Sequence, residues 1–497
     1  KTLSAVLLIT AINACTLQED PDPTTGGGSI TITAQTIQEQ DVTNVPGTKT
    51  TLSGEGGLET HWVAGTDKIG IFSPQARTTD DGSDPIKNAE FTAQASAKSS
   101  SFNGTMFWGD NVSHNFYAYY PRNSGYTGEQ TVVPISLASA QTQSAAGNTA
   151  HIGALDYMVA TPLTVARGGA VNLTFNHVFA MIEFQIKGSG NLTQVSLNGA
   201  DPLACAGTID LTQTPGDGAY TVTTSSTSKY VTVTLGTAAP LSSETATSVY
   251  MMILPGAQSE NLQIAVKIDG NWKEMSKPQP DGGFVRGKKY LVTLNTAGAG
   301  WNAAIQDSRD SQIYQYKTIG TQVWMTENLA YLPSVVGPAT ESVTDPYYYV
   351  YGYDGTVVDD AKATSNYTIY GVLYNWTAAL SACPPDWHLP SDAEWTTLTD
   401  YLGGESVAGG KMKEAGIAHW WSPNSGATNE SGFTALPGGC RYYDGAFTNF
   451  RTTGYWWSST QHIDGTAGNR NLSYANSSVG KPYGYLDYGF SVRCLQD

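Results

Sequence analysis

The sequence predicts a mainly β protein with several domains: two β-sandwich domains followed by one α+β domain. The chain has 497 residues, which is more than one compact core usually holds. Residues 30–297 repeatedly place apolar side chains at every second position, whereas helical spacing and capping signals begin after residue 298. Apolar residues make up 40% of the chain and supply large cores, which excludes a globally disordered protein.

The charge of the chain limits its partners. Lys and Arg number 26 against 43 Asp and Glu, so the formal net charge is −17, and no basic stripe offsets it. A surface this acidic repels phosphate backbones, so nucleic acid is excluded as a partner.

The first 29 residues predict export and anchoring. Lys1 precedes a mostly apolar run of ten residues, which is too short to span a membrane and is typical of a secretory signal. The segment ends in INAC, which resembles a lipobox, so we expect residues 1–14 to be a lipoprotein signal peptide. Cys15 would carry the acyl chains, such as palmitate, of an outer-membrane lipoprotein at the cell surface, and residues 15–29 would be a polar tether. The alternative is an unmodified Cys15 after cleavage at Ala14.

The central region predicts half-buried strands. Residues 182–187, 231–235 and 262–268 alternate apolar and polar side chains between turn signals, a pattern typical of β-sandwiches. A break at residues 166–169 (ARGG) divides the region into sandwiches over 30–168 and 169–297.

Different sequence patterns predict an interdomain linker and the last domain. Residues 298–303 fit a loose GxGxxA pattern without a surrounding βαβ unit, which favours a flexible linker over 298–309. Within the α+β domain at 310–497, residues 369–382 carry a helical apolar stripe that ends at Pro384. Ser391 and Glu394 form a predicted capping box that opens a second helix.

Motifs for catalysis are missing from the sequence. The seven His residues show no zinc spacing, and the chain has no GxSxG elbow, Walker loop or EF-hand loop. We therefore predict that the protein is not an enzyme and that it needs no metal and no cofactor.

The cysteines of the last domain predict a disulfide. Exported chains favour such bonds, and Cys383 and Cys494 would tie a helix end to the final strand. Closing a loop of about 110 residues would stabilise the fold by about 4–5 kcal/mol. Cys440 as a partner of either residue is the alternative, and Cys205 is expected to be a buried apolar side chain.

Residues 30–297 resemble a Bacteroidetes fimbrillin, a pilin superfamily of paired transthyretin-like sandwiches. The resemblance rests on motifs in a fixed order. They are residues 61–72 from His61-Trp62 to DKIGIF, 116–121 (FYAYYP), 156–158 (DYM), 175–177 (FNH) and 284–290 (FVRGKKY).

Residues 310–497 resemble the domain called Fibrobacter succinogenes major paralogous, which is similar to C-type lectin-like folds. The matching motifs are residues 323–329 (VWMTENL), 370–376 (YGVLYNW), 383–391 (CPPDWHLPS), 433–439 (FTALPGG), 454–459 (GYWWSS) and 491–494 (SVRC). The calcium-linked sugar tripeptides of true lectins are absent, which argues against calcium-dependent sugar binding.

The fimbrillin resemblance implies assembly by strand exchange. A trypsin-like protease trims the N-terminal strand, and a strand of the next subunit fills the groove. Here residues 30–33 (ITIT) would be the removable strand and Lys49 the processing site, with Arg77 as the alternative. The other possibility is that Lys49 is a solvated loop charge and nothing is cut. Because a domain of about 190 residues follows Thr296, the chain could accept a donor strand without giving one. We therefore expect a fimbrial tip adhesin whose partners are other fimbrial subunits and a glycan or host surface protein.

Tyrosines are the candidate ligand contacts, since pyranose rings stack on aromatic faces. The candidates are Tyr347, Tyr349, Tyr351, Tyr353, Tyr442 and Tyr443, together with Tyr483 and Tyr485. Packing of loops onto the core is the alternative for these clusters, and for Trp456 and Trp457 core packing is the expectation.

Two other functions stay open at this point. One is a non-polymerising outer-membrane lipoprotein that binds glycans for uptake. The other is an enzyme, because formylglycine-generating enzymes have a related fold and use cysteines. A reactive dithiol of Cys440 and Cys494 would be the sign of that activity.

Overall fold

The computed structural model describes residues 28–36, 51–53, 59–128, 131–213, 221–462 and 465–497. The described chain is mainly β, as the sequence predicts. Apart from one short helix, its helices lie after residue 357. None of the helices in these ranges combines the length and the apolar run that a membrane span requires.

The N-terminal region forms a closed sheet around one core. Its elements, in chain order, are β1 (Ile32–Thr36), β2 (Thr51–Ser53), β3 (Glu59–His61), β4 (Lys68–Arg77), β5 (Pro85–Ala93), β6 (Ser99–Asn103), β7 (Ser113–Tyr120), β8 (Val132–Leu137), β9 (Ala140–Gln143), α1 (Ile152–Leu155), β10 (Met158–Ala160), β11 (Leu163–Ala166) and β12 (Val171–His177). The pairing order is β10-β12-β1-β6-β5-β4-β7-β11, and β10 also pairs with β7. That extra pairing closes a barrel around Trp62, Phe91 and Phe116.

The second region is built from three sheets that share a core. Its strands are β13 (Ala180–Lys187), β14 (Asn191–Asn198), β15 (Ala204–Asp210), β16 (Val222–Ser228), β17 (Tyr230–Pro240), β18 (Thr247–Ile253), β19 (Leu262–Ile268), β20 (Asn271–Lys277), β21 (Lys289–Asn295) and β22 (Asn302–Gln306). One sheet has the order β18-β13-β21 and another the order β16-β15-β8. The third contains β22-β20-β19-β14-β17-β9 as part of a longer ladder.

The predicted break at residues 166–169 does not separate these sheets. Strands β8 and β9 precede the break but pair with β15 and β17 of the second region. Strand β12 follows the break but lies in the barrel, between β10 and β1. The Gly168-Gly169 pair marks a turn with positive φ at Gly168, and a turn signal carries no information about which distant strand comes next in a ladder.

The predicted flexible linker at 298–309 contains a strand. β22 pairs with β20 on one side and with β23 on the other. Gln315 on β23 reinforces this junction, because its Nε2 donates to Glu274 Oε2 at 2.9 Å and its main-chain N–H to Glu327 Oε1 at 2.7 Å. Burial and the nearby Glu327 carboxyl raise the pKa of Glu274 above its ordinary value. The second region and the last domain therefore share one continuous sheet.

The last domain combines short strands and helices. Its strands are β23 (Ile313–Ile319), β24 (Gln322–Met325), β25 (Tyr348–Tyr349), β26 (Leu373–Tyr374), β27 (Trp387–His388), β28 (Cys440–Arg441), β29 (Phe447–Thr448), β30 (Thr453–Gln461), β31 (Thr466–Ser473), β32 (Val479–Gly480), β33 (Tyr483–Tyr485) and β34 (Leu495–Gln496). Its helices are α2 (Val358–Lys362), α3 (Ser365–Tyr370), α4 (Trp376–Ala379), α5 (Asp392–Tyr401) and α6 (Glu405–Met412). Strands β23, β24, β34 and β27 continue the long ladder from β22.

The two predicted helices of this domain had different outcomes. The capping box of α5 is confirmed, with Ser391 and Glu394 bonding each other's main-chain N–H groups. The single helix predicted over 369–382 is wrong, since α3 ends at Tyr370, β26 follows and α4 begins at Trp376. Gly371 has a φ of 72° and lies so close to the Leu329 carbonyl that an added Cβ would be 2.7 Å from its oxygen. This close packing of Gly371 against Leu329 interrupts the helix, although the apolar stripe continues through the sequence.

The cysteine pairing agrees with the prediction. Cys383 and Cys494 form a disulfide with a Cα–Cα distance of 5.9 Å across 111 residues of sequence. Cys440 and Cys205 are free and buried, and burial raises the pKa of each thiol to about 11.

Candidate functional site

Strand β1 lies in the interior of the barrel sheet, between two strands that are distant in sequence. It runs parallel to β12, with Ile32 opposite Val171, and antiparallel to β6, with Ile32 opposite Phe102. Ile30, Ile32 and Ala34 are buried. A removal of β1 would therefore leave main-chain groups unpaired on two strands at once.

Trp62 forms the floor beneath β1. It is fully buried, and its indole N–H donates to the Ala34 carbonyl at 3.1 Å. The ring packs edge-on against Phe102 at 4.9 Å and Phe175 at 5.4 Å. Without β1, the trench between β6 and β12 would have an aromatic floor whose N–H lacks this acceptor.

The structure describes only some of the residues that were predicted to take part in trimming. The removable strand predicted over 30–33 corresponds to β1, which begins two residues later and ends at Thr36. Lys49 and Cys15 lie outside the described residues. The alternative site Arg77 ends β4, exchanges main-chain hydrogen bonds with Phe107 and makes an ion pair with Asp110. A protease needs an extended segment that is free of such a ladder, so this geometry argues against Arg77.

Several fimbrillin-like motif residues meet where the barrel closes. Asp156 Oδ1 pairs with His177 Nδ1 at 2.8 Å, and both side chains are buried. The Tyr120 hydroxyl donates to Asp67 Oδ1 at 2.8 Å, and burial with the nearby carboxylate raises the pKa of Tyr120. These residues hold β4, β7, β10 and β12 together, so we assign them a structural role.

The tyrosine run at 347–353 packs mostly onto the core. Tyr349 is fully buried and its hydroxyl donates to the Thr340 carbonyl at 2.7 Å, so it cannot contact a ligand as predicted. Tyr351 lies half-buried between the rings of Phe447 and Phe450, at 5.0 and 4.7 Å. Tyr347 and Tyr353 are also half-buried, so packing of these loops, the alternative weighed from the sequence, accounts for the run.

Trp456 and Trp457 are core residues, as the sequence predicts. Their indole N–H groups donate to Asn328 Oδ1 at 2.8 Å and to the Tyr374 carbonyl at 2.7 Å.

Three of the remaining predicted tyrosines join a surface cluster that we call the tyrosine platform. It consists of Tyr442, Tyr443, Tyr485 and Tyr488. Tyr488 is central: its ring lies nearly parallel to that of Tyr443 at 6.3 Å, with edge contacts to Tyr442 at 5.0 Å and Tyr485 at 5.5 Å. Tyr443 and Tyr485 are 60% and 57% exposed. The sequence did not point to Tyr488, because no other tyrosine lies directly beside it in the sequence.

Local backbone geometry explains why these rings face outward. Gly484 lies between the two exposed tyrosines of β33, and an added Cβ would be 2.7 Å from Phe490. The strand can therefore lie flat on the core while Tyr483 and Tyr485 point away from it. Tyr443 lies in the turn from β28 to β29, where Gly445 has a φ of 79°. Paired main-chain hydrogen bonds between Arg441 and Gly489, at 3.0 and 2.8 Å, hold the two segments side by side.

Carboxylates flank the platform. Asp444 follows Tyr443 in the turn, and Asp487 precedes Tyr488. Burial, together with the neighbouring tyrosines and Asp487, raises the pKa of Tyr488 to about 12. Asp487 Oδ1 is buried and has no hydrogen-bond partner within the described part of the chain.

Other exposed aromatic residues lie elsewhere in the last domain. Tyr483 stacks on His462 at 3.9 Å, and Trp421 is exposed beside Tyr474. Neither contacts a platform ring in the described structure. The sequence contained no pattern that separates the exposed Trp421 from the buried Trp420 next to it.

The cysteines do not form a reactive pair. Cys494 is bonded to Cys383, so the Cys440–Cys494 dithiol considered from the sequence is not formed. Within the described residues, no group of three or more His, Cys, Asp or Glu side chains could hold a metal ion.

Comparisons with known families agree with this architecture. Residues 48–334, more than half of the chain, match the family described as fimbrillin-like. The chain therefore belongs to the fimbrillin-like family. Residues 318–496 match the Fibrobacter succinogenes major domain, which confirms the fusion that the sequence predicts. The membership supports a role as a fimbrial subunit at the cell surface.

Solved structures give low overall similarity. A candidate cell adhesion protein from Bacteroides uniformis is 20% identical, with a TM-score of 0.36 over 58% of this chain and 98% of its own. A fimbrial protein from Bacteroides ovatus is 13% identical, with a TM-score of 0.27 over 94% and 99%. A fimbrial assembly protein from Parabacteroides distasonis is 11% identical, with a TM-score of 0.29 over 58% and 100%. No curated protein matches the sequence.

Proposed function

We propose that the chain is the tip subunit of a surface fimbrium, which accepts a donor strand and presents its lectin-like C-terminal domain to a host surface or glycan. The observation that carries the proposal is an asymmetry between two strands. β1 is a short segment near the N-terminal end of the described chain, whereas β21 leads directly into a continuous sheet. The chain could receive a strand in place of β1 but could not release β21.

The acceptor half of the proposal rests on the contacts of β1. The buried side chains of Ile30, just before the strand, and of Ile32 and Ala34 within it alternate along one face, so a foreign strand with the same period could replace them. A replacement strand would regain the ladder on both β6 and β12. It would need a small residue at the Ala34 position, where Trp62 donates to the main chain.

The donor half rests on the junction after β21. Seven residues of β21 pair in parallel with β13. The indole N–H of Trp301 then donates to the Asn295 carbonyl at 2.9 Å, and β22 joins β20 in the long ladder. To donate β21, the subunit would have to break this ladder and detach its last domain from the sheet, which makes self-polymerisation unfavourable.

Anchoring belongs to the same proposal. Before incorporation, the subunit would be held at the outer membrane by acyl chains on Cys15, with residues 15–29 as a tether. Cys15→Ala should then release the protein from outer membranes or block its processing. Unchanged detergent partitioning and an unchanged mass would contradict the lipoprotein assignment.

Strand exchange can be tested on the purified full-length protein. A trypsin-like protease should cut at Lys49, and the trimmed protein should then bind a labelled peptide with the sequence of residues 28–36. The matched control peptide carries Ile32→Asp, which places a charge on the buried face and should prevent binding. The Lys49→Ala protein should stay uncut at this site and bind neither peptide.

Two results would overturn the proposal. Ladders of self-polymer on an unboiled gel after trimming would show that the subunit donates a strand. Gold-labelled antibody distributed over the cell surface instead of at fimbrial ends would favour the non-polymerising glycan-binding lipoprotein.

A further inference from the structure

We propose that the tyrosine platform is a binding surface for neutral pyranose sugars, and that it discriminates against sialylated, sulfated and uronic-acid glycans. The proposal rests on the proposed function for one premise, that the last domain faces the surroundings of the cell. Its ligand class follows from the rings and charges of the platform itself.

The ring arrangement favours a ligand that lies on top of the platform. Tyr488 contacts Tyr442, Tyr443 and Tyr485 directly, with centroid distances of 5.0 to 6.3 Å. A cation held between two parallel rings would need roughly 7 Å or more between them, since carbon contacts measure about 3.5 Å on each side. Tyr443 and Tyr488, the nearly parallel pair, have centroids 6.3 Å apart and leave no such gap. The C–H face of a pyranose needs only an exposed ring face, which Tyr443 can offer with 60% of its surface exposed.

The platform is held rigid before any ligand arrives. Tyr442 packs edge-on against Tyr488, and the main-chain bonds of Arg441 with Gly489 join the two supporting segments. Below them, Asn449 Nδ2 donates to the Tyr455 hydroxyl at 3.0 Å. Tyrosine has only two rotatable side-chain bonds, so a ligand that stacks here immobilises little further.

The charges on the platform determine which sugars fit. Asp444 is exposed and offers an acceptor for sugar hydroxyls, whereas Asp487 is half-buried, with Oδ1 closed to solvent, and adds a carboxylate beside Tyr488. Arg441, two residues before Tyr443, is fully buried. It donates inward to the carbonyls of Pro338 and Asp487, each at 2.8 Å, and Nη2 donates to Thr340 at 3.3 Å. An anionic sugar on these rings would therefore be repelled by the two carboxylates, and the Arg441 guanidinium is not accessible to it.

The test is an array of multivalent oligosaccharides probed with the full-length protein. Neutral hexose-terminated glycans should bind, and their sialylated or sulfated counterparts should not. Tyr443→Ala and Tyr485→Ala should each weaken binding by about tenfold, which corresponds to about 1.4 kcal/mol. Asp444→Asn should also weaken the binding of neutral glycans, because an amide is a weaker acceptor for hydroxyl donors than a carboxylate.

The matched control is Tyr401→Ala. Tyr401 is 65% exposed at the end of α5 and is not in ring contact with the platform in the described structure. Its removal should leave glycan binding unchanged. All four variants should unfold within a few degrees of the wild type, since the changed side chains lie at the surface.

The outcomes separate this proposal from the tip assignment. Binding of acidic glycans, binding of a cationic peptide such as oligolysine in place of sugars, or no binding to any glycan would each overturn the neutral-sugar proposal. An equal loss in Tyr401→Ala would overturn the platform as the site. Platform variants should still be trimmed and still take up the strand peptide, so a failure of strand exchange with intact glycan binding would overturn only the tip assignment.

Discussion

The N-terminal barrel and the last domain satisfy their main-chain hydrogen bonds in different ways. In the barrel, strands pair with strands, and β1 contributes to two ladders at once. In the last domain, buried cationic side chains hold irregular loops together by donating hydrogen bonds to their main-chain carbonyls. Lys413 Nζ donates to the carbonyls of Ser425, Ser473 and Asn476 at 2.8 to 3.0 Å.

A buried arginine extends the contrast. The Arg493 guanidinium donates to the Phe433 carbonyl at 2.5 Å and to Asn328 Oδ1 at 2.9 Å, and burial lowers its pKa to about 9. A strand can be replaced by any other strand of suitable period, because the ladder consists of main-chain groups. A loop held by specific side chains has no such substitute. The barrel therefore depends on main-chain pairing that another strand could reproduce, whereas the loops of the last domain depend on particular side chains.

Removal of the disulfide should reduce the stability of the last domain more than any other change considered below. Cys383→Ser with Cys494→Ser should lower the free energy of unfolding of the last domain by about 4–5 kcal/mol, because the bond closes a loop of 111 residues. Chemical denaturation followed by tryptophan fluorescence would measure this loss. Cys440→Ala, which leaves the bond intact, should cost only about 1 kcal/mol. A similar loss in both proteins would show that packing, and not the cross-link, holds these loops.

Strand β1 should be the next most sensitive element. Ile32→Ala should destabilise the barrel by about 3 kcal/mol through the cavity that it leaves against the core. Thr31→Ala, at an exposed position of the same segment, should change the free energy of unfolding by less than about 0.5 kcal/mol. Thermal unfolding of the untrimmed protein would compare them, and equal effects would mean that β1 is not seated as described.

A smaller effect is expected at the start of α5. Ser391→Ala removes the side-chain acceptor of the Glu394 N–H and should cost about 1 kcal/mol. Thr397→Ala, on the exposed surface of the same helix, is the control. A loss confined to Ser391→Ala, measured by denaturant midpoint, would confirm that the capping box stabilises the helix.

The smallest expected effect is a pH dependence near His419. The hydrogen bond that His419 Nδ1 donates to Glu414 Oε1, at 2.8 Å, raises the pKa of His419 above 6.5 despite its partial burial. Its folded pKa is raised, so the stabilisation is fully present below pH 6.5 and is lost as the pH rises through the folded value. Glu414→Gln should flatten this slope in denaturation measured from pH 5 to 9. Glu430→Gln, at an exposed ion pair with Lys411, should leave the slope unchanged.

Features that depend on local chemistry were predictable. The period-two segments became β13, β17 and β19, since alternation directly encodes a half-buried strand. The capping box at Ser391 needs only two residues three positions apart. The motif order of the two families was sufficient to predict the fusion that the family matches confirm.

The candidate site was predictable only in part. Tyr442, Tyr443 and Tyr485 were identified by aromatic density, but the same criterion selected Tyr349, which is fully buried. Composition cannot separate a tyrosine that packs under Arg441 from one that faces water, because burial depends on which loop covers it. Tyr488, at the centre of the platform, was missed for the same reason.

The sequence by itself determined the fold class and the family membership, because periodicity, caps and motifs lie within short stretches of chain. The tertiary structure alone decided the ladder order. It placed β8 and β9 in the second region, made β22 a strand within the predicted linker and divided the helix predicted over 369–382. Each of these outcomes depends on main-chain partners far away in sequence, and a local pattern contains no information about the partner that a strand will meet.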